Sequence, residues 1–266
     1  MSATPVSLAD IVAHLDQYLR IRDIPDDGNA HNGLQVENRG VVGRVVAAVD
    51  ASLATIEGLG APAPSTAAPA LLLVHHGLFW DGTQPVTGRR YRRLRALLER
   101  DAALYAAHIP LDLHPEVGNN AGLARLLALE EQRPFGQHKG VLIGVAGRAP
   151  ALLRDRGALA ARLAEVVGIA APEVRLIPGG PAVVSTIGVI TGGAGSAILQ
   201  AREAGCDTFV TGEGAAHTYF DAMEFGVNVL YAGHYATETI GVRLLAEHLA
   251  TRFGLPWEFH DHPTGM

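Results

Sequence analysis

The sequence predicts an α/β protein built from two lobes, in which parallel or mixed sheets are flanked by helices. Short apolar or β-branched runs alternate along the chain with amphipathic segments, a pattern typical of strands connected by helices. The run Leu71–Val74 is apolar throughout, as in a strand covered on both faces. Apolar residues make up 48% of the 266 residues and charged residues only 18%, which is enough apolar material for a sizeable core.

A helix opens the first lobe. Ile11, Leu15 and Leu19 recur at helical spacing, and Ser7 stands where a helix N-cap is expected. The β-branched run 41–49 predicts a strand that leads into the next helix. The remaining predicted elements of this half are helix 52–59, strand 71–74, helix 91–100, strand 103–107 and a helix 121–129 capped by Asn119 or Asn120, with loops at 26–32 and 61–69.

The second half repeats this alternation. Its predicted elements are strand 141–145, helix 156–167, strand 183–191, helix 196–204, strand 208–211, helix 217–225, strand 227–231 and helix 237–252. Pro134 and Gly136 interrupt the helical pattern, so we place the break between the lobes within 130–139. Residues 1–266 then form one two-lobed unit: lobe one covers about 1–130 with the C-terminal segment 227–266, and lobe two about 138–226.

Composition excludes several classes of protein. A single cysteine, Cys206, rules out a disulfide framework and any multi-cysteine zinc site. The net charge of -6 disfavours broad nucleic-acid binding. No basic segment followed by an apolar one stands at Met1–Asp10, and no apolar stretch approaches the ~18 residues of a membrane span. We therefore expect a cytoplasmic protein with no signal peptide and no membrane partner.

Histidine and carboxylate residues follow three predicted strands. His75 and His76 come directly after strand 71–74, Asp112 follows strand 103–107, and His234 and Glu238 follow strand 227–231 with the four-residue spacing that shares one helix face. Ligands of α/β sheets gather outside the carboxyl ends of strands, which is where these residues are expected. The alternatives are an exposed histidine pair in a loop, an aspartate in a turn and a capped first helical turn.

The ligand chemistry of this set points to divalent ions. Imidazole and carboxylate without thiolate favour Zn, Mn, Fe or Ni. Three imidazoles and two carboxylates are too many for one open tetrahedral site, and they suit two ions that share carboxylates. Successive strand side chains point to opposite faces, so His75 and His76 would serve two adjacent ions unless the backbone bends.

The sequence resembles the NIF-three-like dinuclear-metal family, whose bacterial members carry the name GTP cyclohydrolase I type 2 homologue. The resemblance covers nearly the whole chain. It rests on six blocks in the same order: His31-Asn32-Gly33-Leu34-Gln35-Val36, Val74-His75-His76-Gly77, Ala107-His108-Ile109-Pro110-Leu111-Asp112 with Gly118-Asn119-Asn120, Thr211-Gly212-Glu213, Ala232-Gly233-His234-Tyr235-Ala236-Thr237-Glu238, and His262-Pro263-Thr264-Gly265.

The resemblance implies a NIF-three-like fold and a ring-shaped homohexamer whose metal pairs face an internal cavity. By it, the ligands of two divalent ions per chain map to His75, His76, Asp112, His234 and Glu238. The chain departs from many relatives at two places. Gly214-Ala215-Ala216-His217 keeps one histidine where relatives carry a pair, and His31 stands where relatives often have aspartate.

Four further features have both a functional and a structural interpretation. Glu213 and His217 are candidate catalytic proton carriers, or else an acid and a solvated histidine at a helix start. His108 either orients a nearby metal ligand such as Asp112 or is only a packed side chain. The loop 191–196 cradles an anion or forms a tight turn, which is favoured. The arginine run 89–95 contacts phosphate or nucleic acid, or is a solvated helix face with Leu94, Leu97 and Leu98 packed inward, which is favoured.

Together these features favour a metal-dependent hydrolase. Two ions would lower the pKa of a water and polarise a purine carbon or a phosphorus centre. The expected substrate is a nucleotide or related small molecule, with either cyclohydrolase-type ring opening of GTP or phosphoester hydrolysis as the reaction. The alternative is a non-catalytic metal-binding regulatory or scaffold protein that forms a ring. Nucleic-acid binding through the arginine run is the least favoured, because the chain is acidic.

Overall fold

The computed structural model describes residues 5–61 and 69–266. The α/β class is confirmed, since the described residues form helices, two mixed sheets and a small two-stranded antiparallel sheet. The strands are β1 Val6–Ser7, β2 Gly33–Val36, β3 Val41–Val42, β4 Arg44–Asp50, β5 Ala70–His76, β6 Ala103–Ala106, β7 Glu130–His138, β8 Val141–Arg148, β9 Arg175–Pro178, β10 Thr186–Val189, β11 Thr208–Thr211, β12 Asn228–Tyr231 and β13 Trp257–Phe259. Most of the predicted loop 61–69 and the start of Met1–Asp10 lie outside the described residues.

The helices follow the predicted alternation. They are α1 Leu8–Tyr18, α2 Leu53–Glu57, α3 Gly88–Glu99, α4 Ile109–Asp112, α5 Asn119–Leu126, α6 Arg156–Val167, α7 Ile198–Glu203, α8 Thr218–Phe225 and α9 His234–Phe253, with short 3-10 turns at Ala151–Leu153, Ala171–Glu173 and Gly195–Ala197. The Ser7 side chain accepts a hydrogen bond from the Asp10 amide at 3.3 Å, so it is the N-cap of α1. No helix in residues 5–61 and 69–266 has the length and apolar composition that a membrane crossing requires.

The chain divides into two compact units. Unit 1 comprises Met1–Leu111 with Val242–His262, and unit 2 comprises Asp112–Gly241 with Pro263–Met266. Apart from the last four residues, 263–266, the predicted lobes differ from these units because they assigned 112–130 and 227–241 to the first lobe. Strand β12 is hydrogen-bonded between β11 and β9, and α5 packs on β8, so both segments belong with the sheet of unit 2.

Unit 1 is organised by a five-stranded sheet in the order β13-β4-β5-β6-β2. The first four strands are parallel and β2 is antiparallel at the edge. Leu71–Val74 in β5 is fully buried, which confirms a strand covered on both faces. Ile56 of α2 and Leu97 of α3 pack in the core on one of these faces. The carboxyl ends of β5 and β6 therefore lie side by side at one edge of the sheet.

Unit 2 is organised by a six-stranded sheet in the order β7-β8-β10-β11-β12-β9. Strands β10, β11 and β12 are parallel, and the flanking strands are antiparallel to their neighbours. Phe209 is fully buried in its core and meets Phe135 edge to face at 6.3 Å. Cys206 is fully buried in the same core, and burial raises the pKa of its thiol to about 11.

Three local expectations are wrong. The predicted break at 130–139 is strand β7, which accommodates Pro134 and Gly136 because it lies at the sheet edge and its register shifts after Glu130. Asn119 and Asn120 do not cap α5, since Gly118 is its N-cap and both asparagines are buried in its first turn. Gly43 separates the predicted strand 41–49 into β3 and β4, and β3 pairs with β1 instead of joining the five-stranded sheet.

Candidate metal centre

Three imidazoles converge at the carboxyl edge of the unit 1 sheet. His75 and His76 are the last two residues of β5, which runs two residues further than predicted, and His108 comes two residues after β6. One ligand atom from each of the three lies within 4.8 Å of the others. The structure therefore places His108, expected only as support, together with the histidine pair.

The adjacent histidines do not point apart as the alternation of a strand would direct them. The ring centroids of His75 and His76 are 4.8 Å apart, and those of His75 and His108 are 5.0 Å apart. Pairing of β5 with β6 ends at Val74, so the pleat no longer fixes the direction of the two rings on that side. The two rings thus converge although β5 remains paired with β4 as far as His76.

The orientation of His75 is fixed by its backbone neighbour. Its ring is 1% exposed, and Nδ1 lies 2.8 Å from the carbonyl oxygen of Ala107. A carbonyl oxygen only accepts hydrogen bonds, so Nδ1 carries the proton of the neutral ring and Nε2 carries the lone pair. This is the tautomer that ligates a metal through Nε2.

Carboxylates hold the other two rings in the same way. His76 Nδ1 lies 3.0 Å from Asp50 Oδ1, and His108 Nδ1 lies 2.8 Å from Asp26 Oδ1. Burial alone would raise the pKa of Asp26, but the hydrogen bond and charge of His108 and the amide of Asn32 lower it to about 2. Asp26 is therefore ionised at neutral pH and accepts a proton-bearing Nδ1 from His108.

The block 31–36 fixes the two segments that carry the imidazoles. The Asn32 side-chain oxygen accepts a hydrogen bond from the His108 amide at 2.7 Å. The Gln35 side-chain oxygen accepts one from the Leu78 amide at 2.8 Å. A Cβ at Gly77 would collide with the Gln35 side-chain amide, so a larger residue immediately after His76 would displace this amide from its hydrogen bonds. Asn32 and Gln35 of this block thus position the segments that carry His76 and His108.

Trp80 covers the imidazole cluster. Its ring stacks on His76 with centroids 5.4 Å apart, and it meets His108 edge to face at 4.6 Å. The indole is 39% exposed, so it lies between the two rings and solvent. Nothing in the sequence pattern distinguished Trp80, because a lone aromatic in a loop has no periodicity.

In unit 2, an imidazole lies between two carboxylates. His234 is the first residue of α9 and Glu238 stands one turn later, with 3.1 Å between His234 Nε2 and Glu238 Oε1. Glu213, two residues after β11, places Oε1 2.8 Å from His234 Nδ1. Burial alone would lower the pKa of His234, but the hydrogen bonds and charges of Glu238 and Glu213 raise it to about 9.

A glycine turn brings backbone onto Glu238. Gly192 has a φ of 68°, and a Cβ there would collide with the Glu238 carboxylate. Its amide donates to Thr237 Oγ1 at 3.0 Å, one residue before Glu238. The contact between this turn and α9 therefore requires glycine.

The loop 191–196 is a structural turn, as favoured from the sequence. The amides of Thr191, Gly192, Ala194 and Gly195 all donate to protein oxygens: to Asn120 Oδ1, Thr237 Oγ1, Thr211 Oγ1 and the Glu213 carbonyl. These four donors are therefore used within the fold and do not cradle an anion.

Asp112 is held by the asparagine pair. It is 7% exposed, and its Oδ1 accepts a hydrogen bond from Asn119 Nδ2 at 2.8 Å. Asn119 Oδ1 in turn accepts the Gly241 amide at 2.6 Å, while Asn120 joins the Ile143 carbonyl to the Thr191 amide. The two buried asparagines thus orient the carboxylate and tie α5 to its surroundings.

Comparison with known proteins identifies the family. The profile of Duf34/NIF3 (NGG1p interacting factor 3) matches residues 6–264. The chain belongs to the NIF3 family. Proteins named GTP cyclohydrolase 1 type 2 homolog from Deinococcus radiodurans and Halobacterium salinarum are 44% and 42% identical to it, over 97% and 98% of this chain and 94% and 100% of theirs. A crystal structure from Thermus thermophilus superposes with a TM-score of 0.82 at 41% identity, covering 98% of this chain and all of that one.

The donor set of this NIF3 chain fits divalent metal ions. In unit 1, each of the three imidazoles has Nδ1 against an oxygen acceptor, which leaves Nε2 as the atom of ligand character. In unit 2, Glu238 is 3% exposed, so its carboxylate is desolvated before any ligand binds. Imidazole nitrogens and buried carboxylates are the donors of zinc, manganese, iron and nickel sites.

The remaining candidates of this NIF3 chain lie elsewhere. His217 is exposed at the N-cap of α8, and its ring makes no hydrogen bond with Glu213 or His234 among the residues described. The arginine run is not a uniformly solvated face: Arg90 is buried, whereas Leu98, expected to pack inward, is 60% exposed. Leu97 is fully buried as expected.

Proposed function

We propose that this protein is a hydrolase that depends on two divalent metal ions, with His75, His76, Asp112, His234 and Glu238 as their ligands. The observation that carries the proposal is the convergence of three imidazoles whose Nδ1 atoms are all held by oxygen acceptors. Histidines that ligate metal ions usually donate their other ring N–H to an oxygen acceptor in this way. Histidines that only pack in a core do not need such a shared orientation. The names of the relatives support a nucleotide or a related small molecule as the substrate.

The ions, when bound, supply a water of lowered pKa and polarise the electrophilic carbon or phosphorus of the substrate. The chain's own residues prepare for them. The Ala107 carbonyl holds the Nδ1 proton of His75 and so directs Nε2 toward a metal ion, whereas His234 gives up its Nε2 proton when it ligates. Glu213 keeps the Nδ1 proton of His234 in place and is 43% exposed, so it suits exchange of protons with solvent. His217 as a second proton carrier stays a prediction.

Elemental analysis of the purified protein tests the cofactor. We expect about two equivalents of a transition metal per chain, since both clusters are ligands in the proposal. Metal content near zero after incubation with zinc, manganese, iron and nickel salts would contradict both the metal cofactor and the hydrolase activity that depends on it.

Turnover is tested on GTP, other nucleotides and phosphoesters with the metal-loaded protein. Asp112→Asn keeps the size of the side chain and loses its charge, so it should abolish both metal-dependent turnover and part of the metal content. Full metal loading with no turnover on the whole panel would instead indicate the metal-binding regulatory or scaffold protein.

We also propose a ring-shaped homohexamer, as the resemblance implies, and a cytoplasmic location, as the composition led us to expect. Light scattering on the eluting protein should give six times the chain mass of 28.0 kDa. A mass of one or two chains at micromolar concentration would contradict the ring.

A further inference from the structure

Trp80 lies in a turn whose backbone is held on both sides. The Leu78 amide, two residues before it, donates to the Gln35 side chain at 2.8 Å. The Gly82 amide, two residues after it, donates to the Phe79 carbonyl at 2.8 Å, and Gly82 has a φ of 78°. The position of the indole over the imidazole cluster is therefore fixed by hydrogen bonds of the backbone as well as by its own ring contacts.

The first turn of α3 anchors this segment through Asp81. The Asp81 carboxylate accepts hydrogen bonds from Arg89 at 2.7 Å and from Arg90. These two bonds lower the pKa of Asp81 to about 2, so the carboxylate is ionised at neutral pH. Arg90 is buried and also donates to the Gly82 carbonyl at 2.5 Å. A buried ion pair is weak evidence for stability, because desolvation opposes the attraction, and what this one does is hold the residues next to Trp80 against α3.

The indole restricts a motion that the hydrogen bonds of His76 and His108 leave open. Asp50 and Asp26 each fix one ring atom, Nδ1, at 3.0 and 2.8 Å. A ring held at one atom can still swing about that contact, which moves its Nε2. Trp80 packs on both rings, and the two histidine side chains are only 11% and 14% exposed. This packing opposes the swing and keeps water from that side of the cluster.

We propose that Trp80 is a positioning residue of the metal centre, which holds the rings of His76 and His108 and so slows the release of an ion bound to them. An ion leaves a site as water replaces its ligands, and each replacement needs a ring to turn away and a water to approach. Trp80 opposes both events, and its own position depends on the ion pair of Asp81 with Arg90. This inference deepens the proposed function, on which it rests, and gives the start of the arginine run a role.

Release of zinc into a coloured chelator tests this role, with the second tryptophan as the matched control. Trp257 is 36% exposed, close to the 39% of Trp80. Its register partner on β4, Val45, stands five residues before Asp50, about 16 Å from the end of the sheet where the imidazoles lie. We expect release to be about tenfold faster from zinc-loaded Trp80→Ala and unchanged in Trp257→Ala. A wild-type rate in W80A, or equal acceleration in both variants, would overturn the proposal.

Rescue by phenylalanine separates ring packing from a general loss of stability. Trp80→Phe keeps an aromatic face against the two histidine rings, so zinc release should stay within about threefold of the wild-type rate. Release from W80F as fast as from W80A would contradict the packing role.

Fluorescence gives a readout that needs neither turnover nor the alanine variant. The chain has two tryptophans, so Trp257→Phe leaves only Trp80 to fluoresce and Trp80→Phe leaves only Trp257. Ni(II), whose d shell is partly filled, quenches an indole beside it, and Zn(II), with a full d shell, is the control ion. Nickel should therefore quench W257F strongly and W80F weakly. Similar quenching of both variants would place the ion away from Trp80 and reject the proposal.

The anchor is tested by removing one of two carboxylates that pair with arginines of α3. Asp81→Asn removes the charge beside Arg90, whereas Glu99→Gln removes that of the exposed pair with Arg95 on the same helix. We expect zinc release to be about threefold faster in D81N and unchanged in E99Q. Equal rates in D81N, E99Q and the wild-type protein would show that the ion pair does not position Trp80.

The two proposals fail in different ways. If the wild-type protein binds zinc and W80A releases it at the wild-type rate, the inference on Trp80 fails alone. If the wild-type protein binds no metal, the proposed function fails first, and the inference falls with it. If zinc release depends on Trp80 and no substrate is turned over, the positioning role stands and only the hydrolase activity is contradicted.

Discussion

Histidines at the carboxyl ends of strands have different hydrogen-bond partners in the two units. In unit 1, His75, His76 and His108 each turn Nδ1 toward an oxygen and their other edges toward one another. In unit 2, His234 has a carboxylate at both ring nitrogens, which raises its pKa to about 9. If metal ions bind as proposed, the cluster of unit 1 can receive a cation directly, whereas the cation of unit 2 must first displace the Nε2 proton of His234.

The largest effect should come from removing a ring of unit 1. His75→Ala deletes a buried imidazole of fixed tautomer, and we expect the bound metal to fall by about half or more, because each ion would lose a ligand or its neighbour. His138→Ala, a partly exposed histidine of β7 in unit 2, is the control and should leave the metal content unchanged. Elemental analysis of both variants decides, and full loading of H75A would show that His75 is not a ligand.

Removing the carboxylate that accepts a hydrogen bond from a histidine Nδ1 should affect metal binding differently in the two units. Asp26→Asn removes the anion that orients His108, so the affinity of unit 1 for zinc should fall about 10–100-fold. Glu213→Gln also removes an anion, but it lowers the pKa of His234 and so reduces the competition from protons. Its effect at neutral pH should therefore be smaller, as measured by competition with a coloured chelator. Equal losses would mean that the proton on His234 does not oppose metal binding.

Opposite pH dependences are expected for the two units without metal. The pKa of His234 is raised from 6.5 to about 9, so its stabilisation of the fold is complete below pH 6.5 and is lost as the pH rises through 9. The pKa of Asp26 is lowered from 3.8 to about 2, so its stabilisation is present above pH 3.8 and is lost as the pH falls through 2.

Titration followed by NMR measures these two groups directly, and chemical unfolding at several pH values measures their effect on stability. Glu238→Gln should bring the midpoint of His234 back toward 6.5, since it removes one of the two carboxylates that raise it. An unshifted His234 in the wild-type protein would contradict the difference between the units.

The smallest effect is expected at Gly192, the glycine whose backbone lies against the Glu238 carboxylate. Gly192→Ala forces Cβ against Glu238 at a positive φ, and we expect the free energy of unfolding to fall by about 1–3 kcal/mol. Gly226→Ala has a similar φ of 70° but open space, so it isolates the backbone cost, about 1 kcal/mol. Similar losses in both variants would show that the collision with Glu238 adds nothing to the free-energy cost of the substitution at Gly192.

The central strands could be predicted from the sequence and the edge strands could not. Leu71–Val74 and Thr208–Thr211 are interior and apolar or β-branched, and both were predicted as strands. The four edge strands of the five-stranded and six-stranded sheets, β2, β7, β9 and β13, were all missed. An edge strand faces solvent along one side, so its residues are more polar, and β7 even contains Pro134.

For the candidate site, residue type and position after a strand were sufficient to select His75, His76, Asp112, His234 and Glu238, whose role as ligands stays a prediction. The groups that orient them were not foreseen. Asp26 lies in a loop far along the chain from His108, and only the folded chain brings its carboxylate to 2.8 Å from that ring. Sequence spacing carries no information on such a contact.

The buried thiol of Cys206 makes the opening of unit 2 measurable. It is the only cysteine of the chain, it is fully buried, and its pKa of about 11 leaves little reactive thiolate at neutral pH. An alkylating reagent can therefore label the chain only when the core of unit 2 opens, and the labelling rate reports how often it does so. Metal added to the protein should slow this labelling if ions stabilise unit 2, which gives a readout of binding that needs no substrate.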